Sequence, residues 1–506
     1  MKKLLTIIFN ILAALLLVLL VSGLLAVTVR GVWGNVTPDY IVTHLRVQGM
    51  PFELSPERGR FALTYSVAEN HSFEFTRDIA AMAVPDLATV NGKYVSLFAP
   101  GVSIIALPFY LLGRLWGLSQ VFAFASVAVF AGLNVYLIYL IVRRFTTNVF
   151  AAIAAGLTFL FATSAWAYAG VLYQHHITTF LMLLIFFILL HSRNILLTLF
   201  VGFLFGFSLF VEYPNAVFFL PLLLLLLAKH IDITPISDRI RLSFNFSVLF
   251  IFLGFALGMI PFLWYNTNAY NDPFQLAGTL KAVRTLEATD SASLAPQFSY
   301  KPKTVFNFFR LEKIPQGADV LLTSTDRGLM VFSPVILMGI IGLIPLFTKH
   351  RAEAYTLTGT IGVFVGLYMM WGDPWGGWAF GPRYMIPVVA LLAIGLGVAI
   401  HTYGRALWFG ILYLILLNYS ITINAVGALT TLQIPPSVEV DAQLLPKLTY
   451  LHNFDLLYQG ISGSYVFNTF IRFLIPLHVF AGLVIMIVSW MISLMYLLAQ
   501  KKSKNS

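Results

Sequence analysis

MKKLLTIIFNILAALLLVLLVSGLLAV, residues 1–27, opens the chain with two lysines followed by an apolar run from Leu4 to Val27. A cleavable leader has an apolar core of about 7–15 residues and a small-residue cleavage site. This run is longer and has no clear cleavage motif, so it reads as a retained membrane span with its lysines on the cytoplasmic side. The pattern recurs along the chain, at Val121–Val142, Val149–Tyr168, Ile177–Leu190, Ile195–Val211, Ala216–Ala228, Val248–Trp264, Leu329–Phe347, Tyr355–Met370, Met385–Ile400, Leu407–Ile423 and Phe473–Leu498. Runs of about 20 apolar residues suit transmembrane helices, and their continuity excludes a β-barrel, whose strands alternate. Composition agrees. Of 506 residues 59% are hydrophobic and 10% charged, against about 25% charged in a soluble domain, and the mean hydropathy is +0.85. The expected fold is an all-α polytopic membrane protein of about 12 (11–13) transmembrane helices, a single integral-membrane domain over 1–506.

Basic clusters orient it. Lys2/Lys3, Arg143/Arg144, Lys229 to Arg241, Lys349/Arg351, Arg405 and Lys501/Lys502/Lys504 all fall on the cytoplasmic side of such a topology. They account for much of the formal charge of +10, so no nucleic-acid partner is implied. The segment Phe98–Trp116 holds Pro100, Gly101, Pro108 and Gly113, and is expected to lie in the interface or re-enter rather than cross. The absence of cysteine excludes disulfides, thiolate nucleophiles and Cys-ligated metals.

The outer face then receives 28–97, 266–327, 371–384 and 424–472, and with them most of the acidic residues. The one sizeable cytoplasmic loop, KHIDITPISDRIRLSF, has neither a glycine-rich phosphate loop nor a dinucleotide fingerprint, so a cytosolic nucleotide-sugar has nowhere to bind. In the first outer loop SPERGRFALTYSVAEN sets Glu57, Arg58 and Arg60 together ahead of a short amphipathic helix. Arg77-Asp78, Pro85-Asp86 and NGKYVSLFAPG, with Lys93 and Tyr94, follow. A carboxylate held near the membrane surface suits a general base on an acceptor hydroxyl, and cations beside it suit a phosphate. Solvated loop charges would give the same pattern.

Late in the chain YMMWGDPWGGWAFGPRYMIP surrounds Asp373 and Arg383 with three tryptophans and four glycines. Tryptophan here suits an interfacial belt. Arg383, with Trp375 and Tyr384 beside it, is equally placed to meet a lipid-linked phosphate, and Arg310 is a further candidate cation. AYAGVLYQHHITT puts His175 and His176 at the outer end of a span, where either could touch a sugar. Adjacent helical residues point to different faces, which argues against a chelated metal. LFVEYPNAVF puts Glu212 at another outer mouth, and WYNTNAYNDPFQLAG opens the second large loop with turn-forming residues.

These phrases, in this order, together with KYVSLFAPGVSIIALPFY and RGLMVFSPVILMGIIGL, resemble the integral-membrane glycosyltransferases of the GT-C superfamily. They look closest to the bacterial branch related to protein O-mannosyltransferases and the lipid A aminoarabinose transferase, glycosyltransferase family 39-like. The resemblance implies a GT-C type fold and transfer of a sugar from a polyprenyl-phosphate donor to an extracytoplasmic acceptor (protein, lipid or envelope glycan), with inversion. It implies a catalytic acid in the first outer loop, where Glu57 matches the family's first acid and Asp78 and Asp86 stand in reserve; the lack of organelle signals and of large soluble domains suggests a bacterial inner membrane. The chain departs from the pattern twice: Glu replaces Asp, and Arg58 replaces the second acid. That disfavours a metal bridging paired acids, so no cofactor is expected. The remaining candidates for substrate contact are Arg58, Lys93, Tyr94, His175, His176, Arg310, Asp373, Trp375, Arg383 and Tyr384. The alternatives are a transporter or flippase for a polyprenyl-linked or amphipathic substrate, and a polysaccharide ligase or polymerase. A transporter would place charges in mid-membrane and carry internal repeats, neither of which is evident.

Overall fold

A computed structural model describes the whole chain except residues 1, 46, 192–193, 237–238, 245, 285, 287–307, 440–447 and 503–506. Parts of the second and last outer loops, and Lys504 of the basic tail, therefore lie outside the described residues. Among the described residues 71% are helical. Among the described residues five helices are long and apolar enough to cross a membrane: Ser119–Phe145, Val248–Tyr270, Arg383–Tyr403, Leu407–Leu429 and Leu477–Lys501. Shorter apolar helices accompany them, among them Val149–Phe161, His175–His191 and Ile195–Val211. Two expected spans are broken by proline. Ala216–Ala228 becomes Asn215–Phe218 and Leu220–Ala228, and Leu329–Phe347 becomes Leu329–Phe332, a 3₁₀ turn from Pro334 and Gly339–Lys349. Phe98–Trp116 forms one helix, Gly101–Arg114. At 1.5 Å per residue it is about 21 Å long, short of a bilayer core of about 30 Å.

Helix Ile386–Tyr403 is the axis of the bundle. Every residue from Ile386 to Ile400 is buried, so it is apolar all round, and Arg383 lies in the turn at its N-terminal end. Helices Ile195–Val211 and Val248–Tyr270 pack through two interlocking small-residue seams, Gly202/Gly206 and Gly254/Gly258. A Cβ on Gly254 would sit 2.0 Å from the Leu199 carbonyl oxygen, and one on Gly258 would sit 2.1 Å from that of Phe203. Only glycine lets the two backbones approach so closely. This seam fixes the helix that ends at Glu212.

Segment 28–97, expected as the first outer loop, folds onto the bundle as helix Ser55–Asn70, helix Arg77–Ala83 and the strands Leu87–Val90 and Lys93–Ser96. Asn91 and Gly92, at φ of 50° and 79°, turn one strand into the other as a two-residue hairpin. The strand Lys281–Val283 of the second loop pairs with Leu87–Val90, completing a three-stranded antiparallel sheet. On the expected amphipathic helix, ten of the sixteen residues of Ser55–Asn70 are buried, Glu57, Arg58 and Arg60 included. The loop above covers it, so it has no wet face.

A buried ion pair within segment 28–97 ties it, through hydrogen bonds, to segment 424–472. Arg30 Nη1 donates to Glu53 Oε1 at 2.6 Å, and both side chains are about 1% exposed. Glu53 also accepts from Gly49 N, Thr431 Oγ1 and Leu432 N, while Arg30 Nη2 donates to the Thr430 carbonyl. Nothing in the sequence marks Glu53 as different from its neighbours.

Candidate functional site

Tyr173 lies between the first outer loop and the tryptophan-rich loop, and two arginines converge on it. The Arg60 guanidinium carbon is 5.2 Å from the ring centroid and that of Arg383 is 5.1 Å away. Arg60 also lies 4.3 Å over the Phe98 ring. Helix Ser55–Asn70 supplies Arg60, and the 3₁₀ turn into the axial helix supplies Arg383. Both are buried, and among the described residues neither joins a salt bridge. Arg60 donates to the Pro56 carbonyl at 3.0 Å and to Gln174 Oε1 at 2.6 Å. Arg383 Nη2 donates to the Gly376 carbonyl, while its Nε and Nη1 and the Nε of Arg60 are buried without a hydrogen-bond partner. Burial, with Arg383 as the nearest like charge, lowers Arg60 to about 10, so it stays charged at neutral pH. Two such cations cost free energy until an anion arrives.

Around them are more groups with spare polar atoms. The Tyr173 hydroxyl and His175 Nε2 are buried and unpartnered, and the His175 ring stacks on that of Tyr173 at 5.9 Å and 15°. The Tyr384 ring lies 5.4 Å from the Arg383 guanidinium and stacks on Tyr368 at 4.5 Å. The Trp375 indole N–H is also buried and unpartnered. His176 turns the other way. Its Nε2 meets the Ala165 carbonyl at 2.7 Å, and its own carbonyl accepts from Asn134. Among the described residues no group of three or more His, Asp or Glu side chains gathers as a metal site.

Three carboxylates were candidates for the base. Glu57 sits in the first turn of its helix, where Oε1 accepts from Leu54 N at 3.0 Å and Oε2 is buried without a partner. Burial, helped by Glu53, pushes its carboxyl up to about 8 against the opposing Leu54 N–H and Arg30. It lies close enough to act electrostatically on Tyr173. Asp86 precedes the central strand of the outer sheet. It too has a buried, unpartnered oxygen, and it acts on Arg60. Asp78 is exposed in the first turn of helix Arg77–Ala83, a position that complements the helix dipole.

The other candidates are spread out. Arg58 donates to the Phe52 and Val84 carbonyls, stapling the loop. Lys93 pairs with Glu74 at 2.5 Å on the surface. Tyr94 is half-buried on the sheet, where its carbonyl accepts from Phe75 N. Arg310 is exposed. Asp373 holds a turn, accepting from Gly376 N at 3.2 Å and Gly377 N at 2.8 Å. That turn needs glycine. Gly376 has φ of +71°, and a Cβ on it would meet Arg383 Nε and the Tyr384 ring at 3.0 Å. The same loop is held from below by Arg327, which is buried and donates to the carbonyls of Asp326, Trp375, Gly377 and Ile434. Sequence reading passed over Tyr173, Gln174 and Arg327. The phrase YQHH drew attention to its histidines, and the two residues before them, Tyr173 and Gln174, proved to meet the arginines.

Comparison with family models and with curated proteins returned no match. Among solved structures, the chain is similar to ArnT from Cupriavidus metallidurans bound to undecaprenyl phosphate, at 12% identity over 97% of this chain and 78% of that one, with a TM-score of 0.48. It is similar to apo ArnT from the same organism at 12% identity, over 99% of this chain and 78% of that one, with a TM-score of 0.46. It is also similar to the apo oligosaccharyltransferase of Archaeoglobus fulgidus at 13% identity, over 93% of this chain and 56% of that one, with a TM-score of 0.36.

Proposed function

We propose that the chain is an inverting glycosyltransferase of the bacterial inner membrane. It moves a sugar from a polyprenyl-phosphate donor to a hydroxyl of an extracytoplasmic acceptor. The observation that carries this reading is the pair of buried arginines on Tyr173, with unpartnered N–H groups and, among the described residues, no carboxylate in salt-bridge contact with either. Such a site asks for an anion with several oxygens. The ordered phrases of the sequence supply the class of anion.

The chemistry follows. The acceptor oxygen attacks the anomeric carbon as the bond from that carbon to the phosphate oxygen breaks. The bonding electrons leave with the phosphate, and Arg60 and Arg383 stabilise the charge that develops there. The acceptor proton passes to a loop carboxylate, with Glu57 the first choice and Asp86 the second. A carboxyl pushed up to about 8 is mostly protonated at neutral pH, so Glu57 acts as the base through its ionised fraction, which grows as the pH rises toward 8 and is more basic than an ordinary carboxylate. The donor's isoprenoid lies among apolar span faces.

The test is mass spectrometry of surface glycans and glycoproteins from cells with the chain, without it, and with Glu57→Gln at equal expression. A sugar that disappears in the second and third strains supports the reading and identifies the acceptor. If Glu57→Gln transfers normally, the base moves to Asp86. If deletion changes no glycan, the transferase reading is wrong and the transporter returns.

A further inference from the structure

The two site arginines are not oriented by carboxylates, as buried arginines commonly are. Arg60 Nη2 donates to Gln174 Oε1 at 2.6 Å, and Gln174 Nε2 donates onward to Glu212 Oε1 at 3.2 Å. These are the only side-chain bonds of Gln174 among the described residues. Glu212 ends helix Ile195–Val211 and takes two further donors, Thr178 Oγ1 to Oε2 at 2.9 Å and the Tyr368 hydroxyl to Oε1 at 3.4 Å. Tyr368 stacks on Tyr384, which lies beside Arg383. One carboxylate thus stands behind both arginines and touches neither.

We propose that Glu212 is a positioning residue that acts through Gln174 to hold Arg60 aimed and fully charged for the donor's phosphate. This rests on the function proposed above. A carboxylate only accepts hydrogen bonds, whereas an amide both donates and accepts. Glu212 therefore obliges Gln174 to turn its NH₂ inward, which leaves its carbonyl for Arg60. Without the carboxylate the amide is free to flip and present N–H groups to a cation. The neutral spacer also matters. A carboxylate placed directly on Arg60 would aim it equally well but would neutralise the charge that the phosphate needs. Relayed through an amide, the direction is kept and the charge is left unspent. The seam at Gly202, Gly206, Gly254 and Gly258 holds the helix that carries Glu212, giving the relay a rigid base.

The experiment uses the purified full chain in detergent, with farnesyl phosphate as probe and farnesol as its uncharged control. Glu212→Gln and Gln174→Leu are each expected to weaken farnesyl phosphate by about 5- to 10-fold, the worth of one orienting hydrogen bond to a charged group. Farnesol binding should not change. In an Arg60→Met background, Glu212→Gln should cost nothing more. Equal losses for farnesol and farnesyl phosphate, or a Glu212→Gln loss that persists in full without Arg60, would overturn the relay and leave the transferase standing. No loss of farnesyl phosphate binding in either Arg60→Met or Arg383→Met would instead remove the phosphate site itself. Should Glu212→Gln fail to fold, Gln174→Leu carries the same test from a half-buried position.

Discussion

Two buried arginines near the tryptophan-rich loop should respond in opposite ways to the same substitution. Arg383 is 8% exposed, makes one hydrogen bond to a carbonyl, and has two N–H atoms without partners. Arg327 is 1% exposed and donates to four carbonyls. Methionine approximates the volume of either. In Arg383→Met the fold loses one hydrogen bond and the ring contacts to Tyr173 and Tyr384, together about 2–4 kcal/mol. It also sheds a buried charge that repels Arg60, a gain of about 1–4 kcal/mol in comparable replacements. The net change in stability is therefore near zero. In Arg327→Met four carbonyls lose a charged donor, two of them part-buried and one, Ile434, still served by Ala379 N; at about 1–3 kcal/mol for each one left unsatisfied, a loss of roughly 3 kcal/mol or more is expected. Transfer should fall by about 10²–10³ in Arg383→Met, the usual effect of removing one donor to a developing anion. Thermal unfolding of the purified proteins by tryptophan fluorescence, with transfer read from the envelope sugar, measures both. If Arg383→Met destabilised as much as Arg327→Met, or transferred at the wild-type rate, the argument that Arg383 is held for a ligand would fail.

Glu57 makes the protein's stability depend on pH. A carboxyl raised to about 8 keeps its proton when folded, while the unfolded chain releases it above about 4.5, so stability is fully present below 4.5 and declines as pH rises to 8. Melting curves from pH 5 to 8 should show this slope, and Glu57→Gln should flatten it. Gly376→Ala forces a side chain into a left-handed turn and against Arg383. It should cost about 1–2 kcal/mol in thermal stability and reduce transfer by at least as large a factor. Glu53→Ala strands Arg30 in the interior, and a loss of about 3–5 kcal/mol is expected, seen as a lowered melting temperature or loss of folded protein.

The helical character was legible because each run of apolar residues carries its own signal. The hairpin at Asn91-Gly92 was legible too, since that dipeptide is a local turn signal, though the surrounding loop charges drew the attention. Arg383 was singled out from its glycine-rich surroundings, and the structure does place it among unpartnered polar groups. Lys93 and Arg310 look no different from it in sequence, and both ended on the surface. No local pattern separates these three cations, because what differs is how much protein is packed above each. Gln174 was unreadable for a further reason: an uncharged amide acquires a role only from the Arg60 and Glu212 on its two sides.

By itself the sequence determined that the chain is apolar, helical and free of cysteine chemistry, and that its acids gather in a few polar segments, because those properties belong to residues or to short windows of them. Only the tertiary structure brought together Arg60, Tyr173 and Arg383, which span more than three hundred positions of the chain. It also decided that Glu57 is buried while Asp78 is wet. The reason is dielectric. A charge takes its chemistry from the water removed around it, and that depends on which distant segments fold over it.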